Sequence, residues 1–152
     1  MKKLYFITVS VVFAVVTFGT ALAEQFGTPA EAEALVNKAA AYLKNNGKDK
    51  AIAEFNNPAG QFRDKDLYIT AYELDGTCRA HFNPKLVGKN LTELRDKDGK
   101  LFIKERLEIA ATKGKGWQDY KYVNPLTKKV EPKDVYVKKA GDLVLACGAY
   151  HK

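Results

Sequence analysis

The ten residues GWQDYKYVNP, at positions 116–125, hold the chain's densest group of side chains able to contact a small molecule. Aromatic and charged residues are interleaved there: Trp117, Asp119, Tyr120, Lys121 and Tyr122. An apolar enclosure with a few oriented polar groups is typical of a small-molecule site. The same pattern is typical of a strand packed in a core, and the residues alone leave both interpretations open.

Alternation along this stretch predicts how its side chains are divided. Successive side chains of a strand point to opposite faces of the sheet. Tyr120 and Tyr122 then share one face, whereas Trp117 and Asp119 share the other. We expect one of these faces to line a ligand pocket, and the sequence does not decide which.

Residues suited to catalysis or to metal binding are scarce. Beyond position 23 the chain contains no serine, and its two histidines are His81 and His151, too few and too separate for a usual zinc site. Cys78 and His81 would lie on opposite faces of a strand because their separation is odd. The sequence therefore predicts a protein that is not an enzyme, with no catalytic residues, no metal and no cofactor.

A partial calcium-loop pattern places Asp96, Asp98 and Glu105 at ligand positions three, five and twelve. Leu94 then stands at position one, where such a loop needs a carboxylate. We expect Asp98 to cap the following helix instead.

The first 23 residues have the pattern of a secretory signal peptide: two lysines, an apolar stretch and a final Ala-Leu-Ala. An uncleaved anchor is the alternative, since residues 4–23 could almost span a bilayer. Cleavage would leave residues 24–152 as one periplasmic or secreted domain. Its net charge falls from +7 to +5 without Lys2 and Lys3. A basic exported protein can meet anionic small molecules or a membrane surface, and nucleic acid is not an expected partner.

Helical and strand patterns together predict an α+β fold with one antiparallel sheet of about five strands. Thr28, Pro29 and Glu31 form a helix start with a capping box. That helix is expected to end near residue 46, and two more are predicted over 49–55 and 100–112. Strands are predicted over residues 67–74, 77–82, 117–123, 135–139 and 143–150.

Three segments of the chain read LDGTCRAHFNPKLVGKNL, KGKGWQDYKYVNPLTKKVEPKDVYVKK and DLVLACGAY. Taken together, they resemble the single Cache domain, the extracytoplasmic PAS-like sensor module of bacterial chemoreceptors and histidine kinases. The family pattern is H-x-x-P-x-L-x-G after a hairpin, then G-W/F-x-D-Y, then Y-V, then G-x-Y in the last strand. The chain matches this pattern at His81, Pro84, Leu86, Gly88, Gly116, Trp117, Asp119, Tyr120, Tyr136, Val137, Gly148 and Tyr150. Many relatives have tryptophan where this chain has Tyr122.

The resemblance implies a five-stranded sheet of order 2-1-5-4-3 with a long N-terminal helix on one face. It also implies a pocket for a small organic ligand, often a carboxylate. The ligand-binding residues that it suggests are His81, Trp117, Tyr120 and Tyr136, with Tyr122 and Lys138 as lesser candidates. Receptors continue into a membrane helix, whereas this chain stops two residues after Tyr150, so a free-standing exported Cache protein is expected.

The expected function is therefore that of a periplasmic sensor domain that recognises a small ligand for signal transduction or chemotaxis. Its partner would be a membrane receptor or a histidine kinase. The alternative is an accessory or scaffold protein that has lost its ligand and acts through protein contacts.

The implied sheet order also bears on the two cysteines, Cys78 and Cys147. Exported proteins commonly form disulfides. In this order, however, the two cysteines lie two strand spacings apart, roughly 9.5 Å, whereas a disulfide needs Cα atoms within about 7 Å. We expect two free thiols.

Overall fold

The computed structural model describes residues 25–151 of the 152-residue chain. The signal peptide predicted over residues 1–23, and its cleavage before Glu24, lie outside the described residues and stay predictions. Within residues 25–151, no helix is both long enough and apolar enough to cross a membrane.

Two helices come first, α1 (Pro29–Asn46) and α2 (Lys48–Asn56). The predicted capping box of α1 is confirmed, because the hydroxyl of Thr28 accepts from the Glu31 N–H and the Glu31 carboxylate accepts from the Thr28 N–H. The chain turns between the helices at Gly47, whose φ of 81° favours glycine. The buried face of α1 is small, with Ala32, Val36 and Ala39, so the helix packs closely on the sheet.

Five strands form one antiparallel sheet in the order β4-β3-β7-β6-β5. They are β3 (Thr70–Glu73), β4 (Cys78–Ala80), β5 (Lys115–Val123), β6 (Val130–Ala140) and β7 (Leu143–Tyr150). Counted among these five alone, the order is 2-1-5-4-3, so the predicted topology is confirmed. Helix α3 (Phe102–Lys113) connects β4 to β5 and covers the face of the sheet opposite α1.

Two strand predictions need correction. β6 begins at Val130, not at residue 135, because the chain continues in register through Lys133, which lies opposite Tyr150 of β7. The strand predicted over residues 67–74 is two strands, of which the first, β2 (Leu67–Tyr68), pairs with β1 (Arg63–Asp64) in a separate hairpin.

The predicted cap of α3 is wrong. Leu101 stands at the N-cap and makes no side-chain capping bond. Asp98 instead forms an ion pair with Lys121, with 2.8 Å between carboxylate oxygen and Nζ. Asp96 organises this loop, since its carboxylate accepts from the backbone N–H groups of Asp98 and Lys100.

The sheet separates two buried clusters. Under α1 and α2 lie aliphatic side chains together with Phe55 and Phe62. Under α3 lie tyrosines, Phe102 and small aliphatic residues. Cys78 belongs to the α3 cluster and Cys147 to the α1 cluster, and both are buried free thiols. They therefore lie on opposite faces of the sheet, which agrees with the geometric argument against a disulfide.

Candidate ligand-binding site

The α3 side of the sheet buries polar and charged side chains. They are Thr70, His81, Arg106, Gln118 and Lys133. Burying a cation is costly unless an anion compensates its charge. Among residues 25–151, no carboxylate forms an ion pair with Arg106 or with Lys133.

Arg106 of α3 is 1% exposed, and side chains of the sheet accept from its three nitrogens. Its Nε donates to Oε1 of Gln118 at 2.8 Å, Nη2 to the hydroxyl of Tyr120 at 3.1 Å, and Nη1 to the hydroxyl of Thr70 at 3.4 Å. Its guanidinium carbon also lies 5.2 Å from the centre of the Tyr72 ring. Arg106 thus joins α3 to the sheet and orients the Tyr120 hydroxyl.

Lys133 of β6 is 2% exposed and has few acceptors. Its Nζ donates to the hydroxyl of Tyr68 at 3.2 Å and lies 4.3 Å from the centre of the Tyr150 ring. Burial lowers the pKa of Lys133. An ammonium group has three donors, so Lys133 keeps donors that find no acceptor in the described part of the chain.

Gly148 of β7 makes room for this lysine. A Cβ atom at position 148 would lie 2.6 Å from Cε of Lys133 and 2.8 Å from the backbone oxygen of Asp134. Real Cβ atoms do not approach other atoms so closely, and the backbone oxygen cannot move aside as a flexible side chain can, so a side chain at position 148 would displace β6 together with the stem of Lys133. The G-x-Y pattern of the last strand therefore has a local physical reason.

The β1–β2 hairpin supplies a third cation. Arg63 lies opposite Tyr68 in the hairpin register. Its Nε is buried and has no hydrogen-bond partner, the only such side-chain nitrogen or oxygen in the described chain. Arg63, Tyr68 and Phe82 line an opening of about 470 Å³ at the surface. The guanidinium of Arg63 is thus a donor with unused capacity beside an open space.

Asp66 fixes the position of the hairpin. Its buried carboxylate accepts from the backbone N–H of Gly27 at 2.7 Å and from Nδ2 of Asn124 at 3.1 Å. These bonds join the hairpin to the segment before α1 and to the loop after β5. The position of Arg63 therefore depends on contacts between distant parts of the chain.

His81, directly after β4, is a neutral hydrogen-bond donor among the buried polar side chains on the α3 side. Its Nδ1 accepts from the N–H of Asn83 at 2.9 Å, so the neutral ring carries its proton on Nε2. That nitrogen has no hydrogen bond to residues 25–151. Burial, and after it the positive charges of Lys133, Arg106 and Arg63, lower the pKa of His81 to about 3. Three cations therefore act on one histidine.

Aromatic rings enclose these donors. The ring centre of Tyr68 lies 4.6 Å from that of Phe82, and the ring centre of His81 lies 5.8 Å from that of Tyr122. Burial raises the pKa of Tyr122 to about 12, so its hydroxyl keeps its proton at neutral pH. We name these residues together the cationic cluster: Arg63, Tyr68, His81, Arg106, Tyr120, Tyr122, Lys133 and Tyr150.

Three of the six residues predicted for the site come together there, namely His81, Tyr120 and Tyr122. The other three belong to the α1 side. Trp117 packs on Tyr136, with 5.1 Å between ring centres, and Lys138 donates to the side-chain oxygen of Asn37 at 2.7 Å. The expected division of the β5 side chains between two faces is therefore present, and among the described residues only the α3 side has buried cations.

Sequence reasoning missed Arg63, Tyr68, Arg106 and Lys133. Two of them carry a detectable signal. Lys133 precedes Val135 and Val137 at two-residue spacing, so strand alternation places all three side chains on one face. Arg106 lies three residues after Ile103, on the apolar face of its helix. Arg63 carries no such signal, because only the hairpin contacts decide its position.

Residues 24–152 of the chain match the family model described as "Single Cache domain 2". A methyl-accepting chemotaxis protein from Vibrio parahaemolyticus RIMD 2210633 has a similar structure, with a TM-score of 0.68, 24% identity, and coverage of 80% of this chain and 86% of that chain. A periplasmic sensor domain of a chemotaxis protein aligns with a TM-score of 0.64 at 25% identity, covering 81% and 90%.

A third similar structure is a Cache chemosensory domain solved for the structural basis of carboxylic acid recognition. It aligns with a TM-score of 0.63 at 20% identity, covering 81% of this chain and 88% of that chain. No curated protein matches the chain. The fold, the ordered motifs and the match over residues 24–152 agree, and the chain belongs to the single Cache domain 2 family.

Proposed function

We propose that the protein is an extracytoplasmic sensor domain that binds a small organic carboxylate at the cationic cluster. Arg63, His81 and Lys133 bind the carboxylate oxygens, and the hydroxyls of Tyr68 and Tyr122 complete the site. The observation that carries this proposal is the set of donors with unused capacity around Tyr68, on the α3 side of the sheet and in the adjoining hairpin. Among residues 25–151, the Nε of Arg63 has no partner and Lys133 has no ion pair.

The chemistry of these donors selects for an anion. A carboxylate only accepts hydrogen bonds, and its charge makes the bonds from Arg63 and Lys133 shorter and stronger than neutral ones. The neutral Nε2–H of His81 adds a donor with no desolvated charge of its own. An amine would be repelled by three nearby cations. The buried carboxylate of Asp66 acts on Lys133, and a neutral amide would add no further negative charge to compensate the cations.

The surface opening suggests how a ligand reaches the cluster. Tyr68 lines the opening of about 470 Å³ and also accepts the hydrogen bond from Lys133. Rotation of this one side chain would join the opening to the lysine. Two lysines and one carboxylate also line the opening: Lys65 (ion-paired with Glu31), Lys128 and Asp64. With Arg63, cations outnumber carboxylates in this lining, which favours the approach of anions.

The structural relatives support the same function. One of them is a Cache domain described for carboxylic acid recognition, and another is a periplasmic sensor domain of a chemotaxis protein. We infer that ligand binding by this domain is read by a membrane receptor or a histidine kinase, for signal transduction or chemotaxis. The domain acts by binding, not by catalysis.

Isothermal titration calorimetry with matched ligands tests the proposal. Unbranched and 2-oxo monocarboxylates of two to four carbons should bind, whereas the corresponding amides should not. Hydrogen bonds to charged groups contribute about 1.5–3 kcal/mol, so Lys133→Met and Arg63→Met should each weaken binding by roughly 10-fold or more. Lys138→Met, on the α1 face, is the matched control and should leave the affinity within about twofold.

Equal binding of acids and amides, or unchanged affinity in Lys133→Met, would contradict the proposal. One observation favours the scaffold alternative: the Arg106 nitrogens already have acceptors, and stacked rings such as Phe102 and Tyr120, 4.2 Å apart, fill the space beside them. If no acid binds while Lys133→Met folds normally, the scaffold function is the better one.

A further inference from the structure

Strand β5 forms one edge of the sheet, and its hydrogen bonds show which positions face outward. In an antiparallel pair, alternate residues direct both N–H and C=O toward the neighbouring strand. The carbonyl of Gly114 accepts from the N–H of Lys139 in β6. The carbonyl of Asp119 and the N–H of Lys121 bond instead to side chains of the preceding loop. Odd-numbered positions of β5 therefore face away from β6.

An unpaired edge follows over residues 115–119. The N–H and C=O groups of Lys115 and Trp117, and the N–H of Asp119, point outward and make no hydrogen bond within residues 25–151. Trp117 is 44% exposed, and the Asp119 side chain is 81% exposed. An exposed edge of this kind is a template for another strand.

We propose that a second copy of the chain pairs with this edge in antiparallel orientation and joins the two sheets into one. Trp117 lies opposite Trp117 of the second copy at the two-fold axis. Lys115 then lies opposite Asp119 of the second copy, and Asp119 lies opposite its Lys115. The sequence Lys-Gly-Trp-Gln-Asp of residues 115–119 is thus complementary in charge to itself when reversed.

Charge disfavours three of the neighbouring registers. An axis at Asp119 would place two carboxylates opposite each other, and an axis at Lys115 would place two ammonium groups opposite each other. An axis at Gln118 would bring Lys115 opposite Lys121 of the second copy. Like charges directly opposite each other destabilise a strand pair, whereas opposite charges and aromatic pairs stabilise it.

The paired segment has defined ends. At one end the carbonyl of Gly114 is engaged with β6. At the other end, the N–H of Lys121 donates to Asp96 at 3.1 Å, and its Nζ pairs with Asp98 at 2.8 Å. About five residues from each copy make a small interface, below the roughly 1,200 Å² of stable complexes. The dimer should therefore be weak and should depend on protein concentration.

Sedimentation velocity over a concentration series measures this dimer. Trp117→Pro removes an outward N–H but no hydrogen bond of the β5–β6 ladder, because proline is tolerated on an open edge. This variant should be monomeric at concentrations where the wild type dimerises, with an unchanged circular dichroism spectrum. Trp117→Val is the matched control: it keeps the N–H, so its dimer should persist, at reduced affinity.

Charge exchange tests the register. Lys115→Asp alone and Asp119→Lys alone should each abolish the dimer, because each places like charges opposite one another. The double variant Lys115→Asp, Asp119→Lys should dimerise again. A wild type that stays monomeric at every concentration, a dimer insensitive to Trp117→Pro, or a double variant that stays monomeric would overturn the proposal.

Discussion

The two faces of the sheet are both buried but chemically opposite. The α1 face consists of aliphatic side chains, such as Leu143 and Leu145 of β7, together with aromatic ones such as Phe55. The α3 face, formed by alternate residues of the same strands and by α3, includes Lys133, Gln118 and Arg106. Period-two alternation lets one strand contribute to both faces. A single residue step in β6 separates the ammonium of Lys133 from the side chains of the α1 face.

The difference between the faces indicates a division of roles. Apolar burial stabilises the fold by roughly 25 cal/mol per Å², and the α1 face provides it without any buried charge. The α3 face buries cations whose desolvation opposes folding. An anion bound there would recover part of that free energy, so ligand binding and stability should be coupled on the α3 face and independent on the α1 face.

The largest change in the free energy of unfolding is expected when a substitution creates a cavity on the α1 face. Leu145 is fully buried, so Leu145→Ala should lower the free energy of unfolding by about 2–5 kcal/mol. The affinity of the folded protein for carboxylates should not change. Urea denaturation and calorimetric titration measure the two quantities. Leu126→Ala, at a side chain 49% exposed, is the control and should have little effect on either quantity.

A change of the opposite sign in the free energy of unfolding is expected for a substitution on the α3 face. Lys133→Met replaces a buried ammonium that has no ion pair by an apolar group of similar length, which removes the desolvation cost of the charge. The ligand-free variant should therefore unfold at equal or higher urea concentration, while carboxylates should raise its melting temperature less than that of the wild type. A loss of stability as large as that of Leu145→Ala would contradict this distinction between the faces.

The pH dependence of stability should also come from the α3 face. The pKa of His81 is about 3 in the folded protein and near 6.5 in an unfolded chain. The unfolded state therefore binds the proton more readily between these values. The contribution of His81 is complete above pH 6.5 and should decrease by up to about 1.4 kcal/mol per pH unit as the pH falls toward 3.

His81→Phe isolates this contribution, because the variant keeps an aromatic ring but cannot be protonated. The difference in unfolding free energy between wild type and variant, measured by urea denaturation from pH 4 to 7, should change with pH in the stated direction. A difference that is constant across this range would show that His81 is not held neutral by its surroundings.

The smallest change in stability is expected when a reductant is added, because the two cysteines are predicted to be free thiols. Cys78 and Cys147 lie on opposite faces of the sheet, and burial raises the pKa of the Cys78 thiol to about 11 and that of Cys147 to about 12. Reductant should leave the melting temperature unchanged, and mass spectrometry after alkylation of the denatured, non-reduced protein should find two modified cysteines. A linked Cys78–Cys147 peptide would contradict both the prediction and the sheet order.

Local rules in the sequence determined much of this fold. The capping box of Thr28 and Glu31, and the separation of Tyr120 from Trp117, depend only on neighbouring residues and on strand periodicity, so both could be predicted. The sheet order came from the ordered motifs of the family resemblance, and the five strands have that order.

Only the tertiary structure decided where the charges lie. The hydrogen bond between Lys133 and Tyr68 joins residues 65 positions apart, and the bond between Arg106 and Thr70 joins residues 36 apart. Lysine and arginine are seldom fully buried, so a sequence alone favours the surface for both. Their burial depends on Gly148, on α3 and on the β1–β2 hairpin, which are brought together only when the chain folds. Tyr136 and Lys138, on the same strand as Lys133, belong to the other face because side chains alternate along a strand, and only the tertiary structure decided which of the two faces has the buried cations.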